Sequence, residues 1–215
     1  MRLFARLAGK AGLVLALSMA LATSVSAASR PTPAKESVPQ ATFISVGDAT
    51  LTPFGWADFC NRYAAECAPG QHPAVDIQLT PKTFDALRSV NTLVNKMIRP
   101  MSDLDHWGVI DRWDIPTDGY GDCEDYVLLK RKLLIEEGMP RSALLVTVVK
   151  DENGDGHAVL TVKTNRGEFI LDNMRETIRG WNEVPYRFVK RQSQEDEDLW
   201  VQIGEPTVAP LIVSR

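Results

Sequence analysis

The run Gly121-Asp122-Cys123-Glu124-Asp125-Tyr126 limits this chain more than any other stretch. It comes directly after a turn and opens a segment with Tyr126, Leu129, Leu133 and Leu134 at helical spacing and Gly138 beyond its end. One cysteine therefore stands at a helix N-terminus, where the macrodipole and unpaired backbone N–H groups favour the thiolate. The three carboxylates around it oppose this, because nearby negative charge raises a thiol pKa. The conflict resolves if the acids are occupied by a hard cation such as calcium. A plainer assignment stands beside that one: Asp122 caps the helix, and Glu124 and Asp125 complement its dipole.

Around this helix the pattern is helix first, then hairpins. Ala41 to Val46 reads as a short strand, and Gly55 to Glu66 as a short helix. Thr80-Pro81 starts a clear helix, with Thr80 as N-cap and Pro81 at its first position. Phe84, Leu87, Val90, Asn91 and Val94 follow a helical period that stops at Pro100. The next twenty residues are aromatic and acidic, including Asp103, Asp105, His106, Trp107, Asp111, Trp113, Asp114 and Asp118, and read as a long irregular connection. After the cysteine helix come strands at Leu144–Val149, Ala158–Lys163 and Glu168–Asn173, with Tyr186–Val189 and Leu199–Ile203 extending the sheet. The expected class is α+β, with the cysteine helix packed on an antiparallel sheet.

The N-terminus reads as processing rather than fold. Arg2, Arg6 and Lys10 precede an apolar run from Ala11 to about Ala22, and Val25-Ser26-Ala27 offers small residues for cleavage. That run is shorter than the roughly 18–20 residues of a membrane span, so residues 1–27 are assigned as a signal peptide, with an uncleaved N-terminal anchor as the alternative. Residues 28–42 form a Ser/Pro/Ala-rich lead-in, and 43–215 a single domain. Removing the signal takes the formal charge from −4 to about −7. No basic stripe remains to bind nucleic acid, and Lys130-Arg131-Lys132 and Lys190-Arg191 read as solvated faces.

Three cysteines leave an odd one in an exported chain. Cys60 and Cys67 can close a small disulfide loop, which would leave Cys123 free; pairing of Cys123 with either remains the alternative. A cysteine nucleophile needs a base, and the base an orienting acceptor. The histidines are His72, His106 and His157. His157 opens one strand and Asp172 ends the next, so a hairpin can set them side by side. Helix-borne Cys followed by His and Asp on adjacent strands is the order of papain-like and transglutaminase-like sites.

Trp107-Gly108, the Gly121–Tyr126 run, Glu136-Glu137-Gly138-Met139-Pro140, Gly156-His157-Ala158-Val159-Leu160 and Leu171-Asp172-Asn173 together resemble one family, the bacterial transglutaminase-like cysteine proteinases of the LapG type. The resemblance covers roughly Phe43 to Val201. It implies Cys123 as nucleophile, His157 as base, Asp172 as orienting acid, and calcium held by Asp122, Glu124 and Asp125. It also implies a periplasmic protein that is not integral to the membrane. Its substrate would be a protein such as a large surface adhesin, and its regulator an inner-membrane receptor for cyclic di-GMP.

Some motifs have other readings. Asp151, Asn153, Asp155 and Gly156 match the first half of an EF-hand loop, but Val162 stands where the bidentate Glu belongs, so a hairpin turn is expected. Zinc is disfavoured, since no further Cys or His lies at ligand spacing near Cys123. A Trp107 or Trp113 indole N–H is an additional candidate for the oxyanion hole, against core or cleft-lining roles. Two rival functions share these residues: a transglutaminase, in which a lysine amine resolves the acyl-enzyme, and a calcium-dependent binding module with a vestigial triad.

Overall fold

The computed structural model describes residues 37–67 and 73–204. The assigned signal peptide, residues 28–36 of the lead-in, His72 and residues 205–215 lie outside them. In chain order the elements are β1 (Val46–Thr50), α1 (Phe54–Arg62), α2 (Pro81–Met97), β2 (Arg99–Pro100), α3 (Asp103–Trp107), β3 (Tyr120–Gly121) and α4 (Cys123–Glu136). Then come β4 (Leu144–Lys150), β5 (Gly156–Thr164), β6 (Gly167–Leu171), β7 (Arg179–Gly180), β8 (Arg187–Gln192) and β9 (Trp200–Ile203).

Local chemistry sets the helix ends. The Thr80 hydroxyl accepts the Thr83 N–H at 3.2 Å, and the Thr83 hydroxyl accepts the Thr80 N–H at 2.7 Å, so two otherwise orphaned donors are satisfied where α2 begins. Leu87, Val90, Asn91 and Val94 form its buried face, at the spacing that lines one side of a helix. Helix α2 ends with Ile98 extended, as the approach to Pro100 requires. In α4 every residue from Cys123 to Leu128 is buried, so this helix is enclosed on nearly all sides.

Seven strands form one antiparallel sheet in the order β1-β9-β8-β4-β5-β6-β7; β2 and β3 form a separate parallel pair. The apolar runs of β4 and β6 are buried on both faces. One face carries Val146, Val148, Ala158, Leu160, Val162, Phe169 and Leu171 into the core shared with Leu87, Val94, Cys123 and Val127. The other carries Val149, Val159, Ile170, Phe188 and Ile203 into a second cluster with Ile44. Each such side chain contributes about 1.5–3 kcal/mol on full burial.

The expected strand at Ala41–Val46 is displaced, because these residues find partners at two places. The Ala41 N–H donates to Arg166 O at 2.9 Å, and Thr42 O accepts the Glu168 N–H at 3.0 Å, beside β6. Val46 already pairs with Ile203 of β9. β6 and β9 are four strand spacings apart, about 19 Å in a flat sheet. The four steps from Thr42 to Val46 reach about 14 Å at most. The sheet therefore curls, and Ile44 fills its inner side.

The basic clusters are also corrected. Lys130, Arg131, Lys190 and Arg191 are buried rather than solvated. Arg131 pairs with Glu197 and donates to Leu144 O, Arg191 pairs with Glu168, and the Lys190 ammonium donates to Leu51 O at 2.8 Å. For Arg131, Lys190 and Arg191, these partners offset the cost of burying charge. Lys130 has no hydrogen-bond partner.

Candidate active site

Strand register brings His157 and Asp172 together. β5 and β6 pair Thr161 with Ile170 and Leu160 with Leu171, so one further step sets Asp172 opposite Val159. His157, two residues from Val159, projects on that same side. Its Nε2 lies 3.0 Å from Asp172 Oδ1, with both side chains buried. Asp172 also accepts the Met174 N–H at 3.0 Å and the Tyr186 hydroxyl at 2.5 Å. The Tyr186 ring stands edge-on to the imidazole at 5.5 Å. These contacts fix the carboxylate, and the carboxylate fixes the ring.

With Nε2 committed, Nδ1 is the nitrogen left over, and it has no hydrogen-bond partner. Burial pulls the His157 imidazolium down, but the hydrogen bonds and charge of Asp172 and Cys123 outweigh it and raise the pKa to about 9. For Asp172 burial acts upward, while the hydrogen bond and charge of His157 and the Tyr186 hydroxyl bring the carboxyl below its ordinary value.

Cys123 is the first residue of α4 and wholly buried. Its thiol donates to Glu124 Oε2 at 3.1 Å. The disulfide joins Cys60 to Cys67, across 5.4 Å between Cα atoms, and leaves Cys123 as the free cysteine. The structure brings two of the expected site residues into contact, His157 in β5 and Asp172 just past β6, and Cys123 at the start of α4 contributes to raising His157.

The acids expected to hold metal are gathered too, but with additions. Ligand oxygens of Asp103, Asp122 and Asp125 lie within 4.8 Å of one another, and so do those of Asp103, Asp111 and Glu124. Asp103, in α3, belongs to both groups. Its backbone N–H donates to Asp122 Oδ2 at 3.3 Å, and its carboxylate accepts the Arg112 N–H. Asp125 accepts the Asp114 N–H at 2.7 Å and the Asp122 N–H at 3.3 Å, so the helix cap and the acid cluster are one construction. The capping carboxylates and the candidate cation ligands are the same side chains.

Burial, joined by the charge of Asp122, raises Asp103 to about 6. Burial, with Asp122 and Asp103 beside it, raises Asp125 to about 9. Burial, with the charges of Cys123, Asp122 and Asp125, sends Glu124 well above its ordinary value. Carboxylates enclosed this closely need positive charge or protons. An all-oxygen set of this kind fits a hard dication such as calcium.

Sequence reasoning named Asp103 and Asp111 only as part of an acidic loop. The available signal was a Ser102-Asp103 N-cap at the far end of that loop, since the Ser102 hydroxyl accepts the Asp105 N–H at 3.3 Å and starts α3. Tyr186 had no signal of its own, being fourteen residues from Asp172. Trp113 is a core residue: it is fully buried against Trp56 and Trp200, and its indole N–H donates to Asp111 at 3.0 Å. Trp107 is partly exposed between His106 and the Arg112 guanidinium. His106 pairs with Asp118 at 2.8 Å, in a group separate from His157 and Asp172. The Asp151 turn is closed by Asp151 Oδ1, which accepts the N–H groups of Asn153 and Asp155 and leads straight into β5.

Residues 46–208 match the family described as bacterial transglutaminase-like cysteine proteinase. No curated protein matches the chain. Among solved structures, calcium-bound Legionella pneumophila LapG is 24% identical, with 61% of this chain and 76% of that chain covered at a TM-score of 0.49. A second Legionella pneumophila LapG structure is 26% identical, covering 58% and 71% at a TM-score of 0.48. An EGTA-treated form of the same protein is 24% identical, covering 60% and 74% at a TM-score of 0.47.

Proposed function

This chain belongs to the bacterial transglutaminase-like cysteine proteinases, and from that membership we propose that it is a periplasmic, calcium-dependent endopeptidase that works through Cys123, His157 and Asp172. The observation that carries the reading is the His157–Asp172 contact at 3.0 Å, which leaves Nδ1 for the thiol at the start of α4.

In the proposed reaction Nδ1 of His157 takes the proton of the Cys123 thiol, and the thiolate attacks the carbonyl carbon of a peptide bond. N–H groups in the first turn of α4, which no helical carbonyl takes, stabilise the oxyanion. The intermediate collapses as Nδ1–H protonates the leaving amine. Water, deprotonated by His157, then attacks the thioester and releases the carboxylic acid with the free thiol. Asp172 keeps Nε2–H engaged throughout, so Nδ1 faces the thiol in the useful tautomer. Asp103, Asp122, Glu124 and Asp125, with Asp111 at the edge, would hold the cation. When bound, calcium supplies the positive charge those buried acids lack and secures the turn before Cys123.

Export is supported by the basic and apolar pattern of residues 1–27, and by a disulfide that belongs to an oxidising compartment. No helix among the described residues is long and apolar enough to cross a membrane. A surface or secreted protein is the proposed substrate. A large adhesin involved in biofilm control, and an inner-membrane cyclic di-GMP receptor as regulator, extend from the family resemblance. The test compares N-terminal sequences of released surface proteins from cells carrying wild type, Cys123→Ala or His157→Ala. A new N-terminus seen only with wild type supports an endopeptidase; identical surface and secreted proteomes in all three reject it. Cross-linked lysine products dependent on Cys123 would assign a transglutaminase instead.

A further inference from the structure

Asp114 is buried, and both of its carboxylate oxygens are bonded. Oδ2 accepts Arg62 Nη1 at 2.9 Å and Arg112 Nε at 3.2 Å, and Oδ1 accepts the Ile115 N–H at 2.9 Å and the Tyr63 hydroxyl. Arg62 also donates through Nη2 to Trp113 O at 2.6 Å, while its Nε donates to Asp58 at 3.0 Å, so one planar guanidinium grips two consecutive residues of the acidic loop. Arg62 and Tyr63 stand 52 and 51 residues before Asp114, at the end of α1. They lie between Cys60 and Cys67, inside the loop that the disulfide closes. Helix α1 is closely fitted to this place. A Cβ at Gly55 would stand 2.2 Å from Trp113 Cδ1, and Trp56 meets the same indole edge-on at 6.3 Å.

Asp114 in turn donates its own N–H to Asp125 Oδ1 at 2.7 Å, while Asp125 Oδ2 takes the Asp122 N–H at 3.3 Å. Asp125 is thus fixed by two amides, one from its own helix cap and one from the segment that α1 grips. Tyr63, Asp114 and Asp125 border a cavity of about 240 Å³, so on that side polar bonds rather than packed side chains set their positions.

We propose that Arg62 and Tyr63 are positioning residues for Asp125: they act through Asp114, and the Cys60–Cys67 bridge holds the turn that carries them. Asp125 belongs to the candidate cation site, so the same clamp sets calcium affinity, a consequence that rests on the cation reading above. Partners behind a metal ligand orient it for binding, and losing one costs about 10–100-fold in affinity.

The experiment follows two quantities: hydrogen exchange of the Asp114 amide in EGTA, by NMR, and calcium affinity, by isothermal titration with calcium chloride. Tyr63→Phe removes one hydroxyl and leaves the ring, whereas Cys60→Ser with Cys67→Ser removes the bridge. Both variants are expected to exchange the Asp114 amide roughly tenfold faster than wild type, with the amides of β4 and β5 at wild-type protection. Both should also bind calcium about tenfold more weakly. An Asp114 exchange rate equal to wild type in Tyr63→Phe overturns the proposal. So does a lower melting temperature with wild-type calcium affinity, since the clamp is then only a staple between α1 and the loop. If the serine variant does not fold, Tyr63→Phe decides both measurements. The cation reading fails separately: wild type would then take up no calcium at millimolar concentration. In that event faster Asp114 exchange in Tyr63→Phe would still support the clamp on Asp125, and an unchanged rate would still overturn it.

Discussion

His157 Nε2 meets Asp172 Oδ1 at 3.0 Å, so the ring has one nitrogen tied and one, Nδ1, to give to Cys123. The catalytic assignment follows from which nitrogen is spent. Asp172→Asn retains the size of the side chain but removes its charge, and an amide placed with its NH2 toward Nε2 would favour the wrong tautomer. Proteolysis is expected to fall by roughly 10²–10⁴-fold, as for loss of general acid–base function, with the fold retained. Single-turnover cleavage and circular dichroism on the same sample check this; full activity in Asp172→Asn would remove the acid from the triad.

The acid cluster makes a prediction about stability that runs in opposite directions with and without cation. Asp103 touches both groups of acids and is raised to about 6 by burial and by Asp122. Asp103→Asn removes one repelling charge, so without calcium the variant is expected to melt at or above the wild type. With calcium the wild type gains stability, by about 2.7 kcal/mol at a hundredfold excess over Kd, and Asp103→Asn gains much less. Thermal melts in EGTA and in millimolar calcium decide the matter. Equal calcium gains in both proteins would take Asp103 out of the site.

What the sequence made legible was what depends on neighbours in the chain. The cap at Thr80, the helix from Cys123, the hairpin linking His157 to Asp172 and the short disulfide loop are local, and periodicity and turn residues announce them. Contacts across the curled sheet or between loop and helix were not announced. Asp103 lies nineteen residues from Asp122, and only packing of α3 against the start of α4 joins them. Lys130 and Arg131 looked solvated because charge normally is; Arg131 is buried by a partner, Glu197, sixty-six residues away. Ala41–Val46 has strand composition, yet its partners lie at two places on a sheet whose curvature no local pattern encodes.

Gly121 is required by space. A Cβ there would stand 2.5 Å from Asp125 Oδ2 and 2.7 Å from Asp125 Cβ. Since Asp125 carries both the Asp114 and Asp122 N–H groups, the added methyl pushes on the cap and the acid cluster together. Gly121→Ala is expected to cost about 1–3 kcal/mol, the usual range for overpacking. It should also weaken the calcium gain, which a defect confined to the core would not. Urea melts with and without calcium read both effects, and a variant equal to wild type in both contradicts the crowding argument.

The Cys60–Cys67 bridge ties the last turn of α1 to the short segment that follows it. On the loop-entropy estimate its removal by Cys60→Ser with Cys67→Ser costs about 2–3 kcal/mol. Cys123 lies outside the bridge, so its alkylation is expected to persist in the folded variant. Peptide mapping under non-reducing conditions checks the pairing directly. Cys123 found in a disulfide would end its assignment as nucleophile.

The His157 imidazolium gives a pH window with a definite sign. Its folded pKa is raised to about 9 against an ordinary 6.5, with burial opposing and with Asp172 and Cys123 raising it. A raised pKa means that protonated His157 stabilises the fold fully below pH 6.5, and that this contribution fades as pH rises through about 9. Activity that needs the thiolate–imidazolium pair should fall over that same alkaline limb. Cys123→Ala removes one of the raising partners while leaving Asp172 in place. The His157 midpoint should therefore drop from about 9 toward its ordinary value, and the alkaline loss of stability should begin at lower pH. Histidine-selective NMR with urea melts between about pH 6 and 10 follows both quantities. A His157 midpoint identical in wild type and Cys123→Ala would mean that the thiol and the imidazole do not act on each other, and the nucleophile–base pair would have to be sought elsewhere.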